Sequence, residues 1–233
     1  MFLKIHPSFI RMYALIVVLL TGNVSFGVES VEKSFPLTCS VTKGSQKALI
    51  LYITGDGGLN TFNKSLIHAF EEKQYGVVTL NSRKYFWNQK NPEIFAKDIE
   101  QIALQYMKVW DKSSLIIIGY SFGADVAAFL PNRISKLLLT KVKTVILLSP
   151  SSSTDFVIRV SDLMATSDNT GRKYKIESAI RNSSVPIFIL FGKEESLLLK
   201  NKLKDGSNVT VFHLPGNHQY QQNYSLLVQK MRL

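Results

Sequence analysis

Residues Leu115-Ile116-Ile117-Ile118-Gly119-Tyr120-Ser121-Phe122-Gly123 set four consecutive β-formers directly before a G-x-S-x-G pattern. Ala124, Val126-Ala127-Ala128 and Phe129-Leu130 then carry helix-compatible residues as far as Pro131. A short continuous apolar run of this kind reads as a strand buried on both faces. A serine at such a strand-to-helix junction sits on a tight turn with its hydroxyl exposed, where a general base reaches it. Glycines at 119 and 123 let the two backbones approach without a Cβ between them. The stretch predicts a nucleophile elbow at Ser121. The competing reading is a tight turn whose serine only caps the helix.

The same alternation continues outward on both sides. Phe35 to Val41 reads as an edge strand and Ala48 to Ile53 as a buried strand ending in Thr54-Gly55-Asp56-Gly57-Gly58. A helix follows to about Lys73, capped by Thr61 or Asn63, with Leu66, Ile67, Ala69 and Phe70 inward. Gly76 to Leu80, Val145 to Leu148, Pro186 to Phe191 and Val209 to Phe212 are further strands. Pro92 opens a helix in which Ile94, Phe95, Ile99, Ile102, Ala103 and Tyr106 recur at helical spacing. Leu197 to Leu203 and Tyr224 to Met231 complete the helices. Short apolar strands alternating with helices predict βαβ units and a mostly parallel sheet, in one domain over 28–233. Residues 151–184, rich in Ser, Thr, Asn and Asp, are expected to form a lid or substrate lip.

Reactive groups in such sheets lie beyond the carboxyl ends of the strands. Four signals fall there: the Gly55–Gly58 turn, Ser121, Glu194-Glu195 and His218. Of the four histidines, His6 lies in the N-terminal segment, His68 in a helix and His213 at the end of the last strand. His218, in the turn Leu214-Pro215-Gly216-Asn217-His218, is the expected base. The order Ser, acid, His matches a hydrolase triad. Glu195, three residues after Gly192, is the favoured acid, and Glu194 stands as the alternative. The oxyanion donors are expected from the Phe122 amide and from Asp56 or Gly57. The Asp56 carboxylate has two readings: it receives a cationic group of the substrate, or it holds its own loop. Asp125 is expected to pin the elbow turn. With no histidine pair or cysteine cluster at ligand spacing, neither a metal nor a cofactor is expected.

Composition bounds the rest. Hydrophobic residues at 45% and charged residues at 19% exclude a disordered chain. Lys4 and Arg11 precede the apolar run Met12 to Leu20, and Ser25-Phe26-Gly27 offers a small-x-small processing site. This predicts an export signal over 1–27, with an uncleaved anchor as the lesser alternative. Cys39 is the only cysteine, so no internal disulfide forms. An exported chain without disulfides suits a periplasm-like compartment. The formal charge of +11 is dispersed along the chain without the basic-aromatic interleaving of a nucleic-acid groove. It suits an anionic membrane surface, or a solvated basic surface with no specific partner.

Four segments carry a family resemblance: Gly55-Asp56-Gly57-Gly58; Ser82 through Tyr85-Phe86-Trp87 with Pro92-Glu93; Gly119-Tyr120-Ser121-Phe122-Gly123-Ala124-Asp125; and Leu214-Pro215-Gly216-Asn217-His218. In order and spacing they resemble the VirJ/AcvB family of exported bacterial virulence proteins, associated with type IV secretion. The resemblance implies a periplasmic α/β-hydrolase. For one branch it implies hydrolysis of aminoacylated phosphatidylglycerol, notably the lysyl form, with Ser121 as nucleophile and His218 as base. It also brings secretion-system proteins in as partners, and an accessory role in secretion as the alternative function. Lys84, Tyr85 and Trp87, together with Asp56, are the expected substrate contacts. Tyr85, Phe86 and Trp87 either sit at headgroup level or pack under the neighbouring helix. The chain departs from the family at Lys84, where arginine is usual, and at Gln219-Tyr220-Gln221-Gln222, where a second histidine with acidic neighbours is usual.

Overall fold

The structure, a computed structural model, describes residues 31–42, 45–159 and 171–233. The predicted export segment lies outside them. Nine strands lie among the described residues: β1 (Leu37–Ser40), β2 (Leu49–Ile53), β3 (Val77–Leu80), β4 (Leu115–Tyr120), β5 (Val142–Leu148), β6 (Ser153–Thr154), β7 (Tyr174–Lys175), β8 (Ile187–Gly192) and β9 (Val209–Leu214). Seven form one sheet in the order β1-β3-β2-β4-β5-β8-β9. Only β1 runs antiparallel, against β3; the remaining pairs are parallel.

The central strands read as unbroken apolar runs because both sheet faces are covered. Successive side chains point to opposite faces. Leu49, Leu51, Ile53, Leu115 and Ile117 therefore enter one core with helix Pro92–Val109. Ile50, Tyr52, Ile116, Ile118 and Tyr120 enter the other, with helices Thr61–Glu72 and Tyr224–Lys230. Within helix Pro92–Val109, Asn91 caps the Ile94 amide at 2.8 Å, and Phe95, Ile99, Ile102 and Tyr106 face inward. Ile94, expected on that face, is exposed instead, because it lies off the stripe of Pro92, Phe95, Ala96 and Ile99 that faces the core.

The cap of helix Thr61–Glu72 is Asn60, not Thr61 or Asn63; its Oδ1 accepts from the Asn63 amide at 3.0 Å. Asn63 is buried and does different work. Its Nδ2 donates to Gly58 O at 2.8 Å, and its Oδ1 accepts from the Tyr52 hydroxyl. The glycine turn after β2 is thereby tied to the strand that leads into it.

Part of the predicted lip, residues 160–170, lies outside the described residues. Its two flanks pair as a small antiparallel ladder, β6 with β7. Phe156 is fully buried between them and the Pro92–Val109 core, with its ring against Phe86, Phe95, Phe129 and Tyr174.

Candidate active site

The turn at Ser121 joins β4 to helix Phe122–Ala127. A Cβ on Gly119 would strike the backbone of Gly123 and Ala124, and one on Gly123 would strike the carbonyls of Ile53 and Thr54. Strand and helix approach this closely only because both positions lack a side chain. Between them Ser121 is held at φ 54 and ψ −121, a conformation costly for any residue but glycine. Ser121 makes no side-chain cap bond to the helix, against the reading of it as a capping serine. Its backbone is anchored instead, the Ser121 amide donating to Leu148 O at 2.8 Å.

His218 follows β9, and its Nδ1 lies 2.5 Å from Glu195 Oε1. The Glu195 side chain is only 4% exposed, against 42% for His218. A buried carboxylate is thus paired with an imidazole that reaches solvent. Glu194, the alternative acid, is exposed; its amide donates to Gly216 O at 3.1 Å. His213 is exposed on β9. The residue before Ser121 also holds the histidine: the Tyr120 hydroxyl donates to His218 O at 3.2 Å, and the two rings lie 5.2 Å apart. Burial, with the charges of Glu195 and Asp56, pushes the Tyr120 phenol well above its ordinary range, so it remains a donor.

Glu195 is braced from behind by residues that no motif revealed. Its Oε2 accepts from the Gly192 amide at 2.5 Å and from the Ser149 hydroxyl at 2.9 Å. Ser149, at the end of β5 with φ 52, is 1% exposed and lies 2.5 Å from the Tyr220 hydroxyl. Tyr220 in turn donates to Leu190 O at 2.7 Å. Burial and the Glu195 charge raise the Tyr220 phenol well above its usual range and keep it neutral. Tyr220, Gln221 and Gln222 all adopt positive φ, so the turn after His218 is strained and is held by the buried phenol. Glu195 thus sits between the two: His218 Nδ1 meets its Oε1 and the Ser149 hydroxyl its Oε2, the histidine–acid pairing of the Ser-His-Glu arrangement that serine hydrolases use, with Ser149 behind the acid. Ser121 stands on the elbow beside the histidine's Tyr120 support.

The Phe122 and Asp56 amides have no hydrogen-bond partner among the described residues. Gly57 differs from expectation: its amide donates to Asp56 Oδ1 at 2.8 Å and is occupied. A carboxylate one residue before an amide reaches it more readily than an approaching ligand does, so Asp56 holds its own turn through this oxygen. Gly55 fixes the turn's distance from the elbow, since a Cβ there would meet Ser121 Cβ at 3.3 Å. Asp125 is buried and accepts from the Ser151 amide at 2.6 Å and the Ser151 hydroxyl at 2.7 Å, tying the elbow helix to the loop after β5.

The Tyr85-Phe86-Trp87 trio divides. Tyr85 is buried and its hydroxyl donates to Asp98 at 2.5 Å, so it is not the exposed substrate contact the sequence suggested. Phe86 is fully buried against Phe95 and Phe122. Trp87 is 57% exposed, and Lys84 is exposed beside it. No helix among the described residues is long and apolar enough to cross a membrane.

A family model described as "Bacterial virulence protein (VirJ)" matches residues 47–232. No curated protein matches the sequence. Among solved structures, a lipase-esterase related protein from Clostridium acetobutylicum is similar at TM-score 0.60 and 15% identity, covering 84% of this chain and 97% of that one. A hydrolase from Oleispira antarctica matches at TM-score 0.59 and 14% identity, over 88% of this chain and 97% of its own. A serine hydrolase without a lid from Xanthomonas campestris matches at TM-score 0.54 and 14% identity, over 84% and 85%. At these identities the likeness is one of fold, and the fold is that of the α/β-hydrolases.

Proposed function

We propose that this chain, which belongs to the VirJ family of bacterial virulence proteins, is a periplasmic serine hydrolase that cleaves the aminoacyl ester of aminoacylated phosphatidylglycerol, the lysyl form first. The observation that carries the reading is the buried Glu195 carboxylate, 2.5 Å from a solvent-reaching His218, beside a strained serine elbow. In this reading Ser121 Oγ attacks the ester carbonyl while His218 Nε2 takes its proton. Glu195 holds the imidazole through Nδ1 and stabilises the imidazolium. The Phe122 and Asp56 amides receive the oxyanion. Collapse breaks the ester C–O bond, and His218 returns the proton to the leaving phosphatidylglycerol hydroxyl. Water, activated by the same histidine, then attacks the aminoacyl-Ser121 ester and releases the amino acid.

The substrate assignment is supported by family membership and the chain's net positive charge, which favours an acidic membrane. Asp56 Oδ2, the oxygen not bonded to Gly57, supplies a partner for the substrate ammonium. Purified protein added to vesicles containing lysyl-phosphatidylglycerol should release lysine and phosphatidylglycerol in equal amounts, and Ser121→Ala should release neither. Turnover of simple esters without lysine release would remove this substrate. Asp56→Asn should impair the lysyl ester more than an uncharged acyl ester of similar size. Equal losses on both would leave Asp56 only its role in the turn.

A further inference from the structure

A second feature opens where the oxyanion turn ends. Between Gly57–Asn60 and the Asn81–Asn88 segment lies a groove of roughly 620 Å3, also lined by Arg83, Lys84 and Trp87. The turn connects it to the elbow. Gly55, at one end, stands against Ser121; Gly58, at the other, stands where a Cβ would lie 3.2 Å from Arg83 Cβ. The Gly58 amide donates to Gly55 O at 3.0 Å, so the two ends are drawn together. The groove therefore begins at the far end of the turn whose near end, Gly55, stands against the elbow.

Its lining is one-sided in chemistry. Arg83 and Lys84 are exposed, and their side chains pair with no carboxylate among the described residues. Asn60 and Asn81 have each spent their side-chain oxygen inward: Asn60 Oδ1 accepts from the Asn63 amide and side chain, and Asn81 Oδ1 accepts from the Lys84 amide at 3.3 Å. Their Nδ2 groups have no acceptor among the described residues. No acidic residue lines the groove, and the nearest in sequence, Asp56, is bonded to Gly57. One guanidinium, one ammonium and two carboxamide donors, with no carboxylate in the lining itself, match an anion that only accepts. Trp87 at the rim adds an amphipathic ring suited to a lipid–water boundary.

We propose that this groove holds the phosphodiester of the substrate's alcohol half, so that Arg83 and Lys84 select esters whose leaving alcohol carries a phosphate. The assignment rests on the ester-hydrolase reading above and adds where the leaving group lies during acylation. The phosphodiester stays bound through attack and collapse, and it departs with the alcohol before water enters.

Two measurements on the full-length protein separate this proposal from the reading beneath it. In the first, the lysyl esters of glycerophosphoglycerol and of glycerol are compared as soluble substrates for the native enzyme and for Arg83→Gln/Lys84→Gln. The double variant should raise KM about tenfold or more on the phosphodiester ester, leave kcat within about twofold, and leave both constants unchanged on the neutral ester. Equal changes on both esters would overturn the groove while keeping the hydrolase. In the second, binding of glycerophosphoglycerol, which has no ester to cleave, is measured by calorimetry beside inorganic phosphate. The native protein should bind the diester, more weakly as ionic strength rises, and the double variant should lose at least tenfold in affinity. Preference for inorganic phosphate, or equal diester binding by both proteins, would overturn it. Absence of cleavage of either ester with diester binding intact would instead count against the hydrolase reading alone.

Discussion

His218 Nδ1 sits 2.5 Å from Glu195 Oε1, and the carboxylate of that pair is almost wholly withdrawn from solvent while the imidazole is not. A buried acid facing one side of an exposed imidazole fixes its tautomer, presenting Nε2 as an acceptor. Glu195→Gln should therefore reduce kcat by roughly 10³–10⁴-fold, as expected when the acid of a triad loses its charge and the tautomer is reversed. Glu194→Gln, on an exposed side chain, should leave kcat within about twofold. Steady-state kinetics on a chromogenic ester check both, and the reverse ranking would move the acid to Glu194.

Ser149 and Tyr220 position the acid rather than touch substrate. The Ser149 hydroxyl is, with the Gly192 amide, a donor to Glu195 Oε2, and a hydrogen bond to a charged group contributes about 1.5–3 kcal/mol. Ser149→Ala should lower kcat about tenfold with KM nearly unchanged. Tyr220→Phe, which removes the contact to Ser149 and the bond to Leu190 O, should lower kcat severalfold and also melt at lower temperature. A Ser149→Ala variant with full kcat would reduce Ser149 to packing. Complete loss of activity with no fluorophosphonate label on Ser121 would make Ser149 itself the nucleophile.

The sheet was legible in the sequence because β2, β4 and β5 are covered on both faces and read as unbroken apolar runs. The Ser121 elbow was legible because it directly follows such a run in β4, and His218 because it lies in the Pro-Gly turn after the last strand, itself a half-buried edge strand. The acid was only half legible: Glu194 and Glu195 are adjacent, and spacing alone does not say which one turns inward. Ser149 and Tyr220 were invisible, since they are 71 residues apart and meet only through the adjacency of β5, β8 and the turn after His218. For Tyr85 the sequence offers both an exposed contact and packing under the helix, because a run of aromatics beside polar residues does not say which rings face the core. For the second donor it offers Asp56 or Gly57, and a neighbouring carboxylate occupies the Gly57 amide. Both choices turn on side-chain direction, which neither periodicity nor motif spacing encodes.

Cys39 offers a test of the β1 edge. Burial, partly offset by the bond from its thiol to Tyr106 and reinforced by the Glu32 charge, raises the thiol from 9.0 to about 11. The folded chain then keeps this proton through a window in which the unfolded chain loses it. Stability contributed by the neutral thiol is complete below about pH 9 and falls as pH rises from 9 toward 11. Urea denaturation at pH 8 and pH 10.5 should show a smaller loss for Cys39→Ser than for the native chain. The native thiol should also react slowly with a disulfide reagent at pH 8 until urea is added. Immediate reaction in the folded state would contradict this burial.

The most direct test of the central claim is covalent. Native protein treated with a fluorophosphonate, digested and sequenced by mass spectrometry should carry a single adduct on Ser121, with ester hydrolysis lost in proportion to labelling. Ser121→Ala should take no label while keeping the native melting temperature to within about 2 °C, since the half-buried elbow hydroxyl makes no hydrogen bond to the helix it precedes. An adduct on Ser149, or undiminished hydrolysis by Ser121→Ala, would contradict the account.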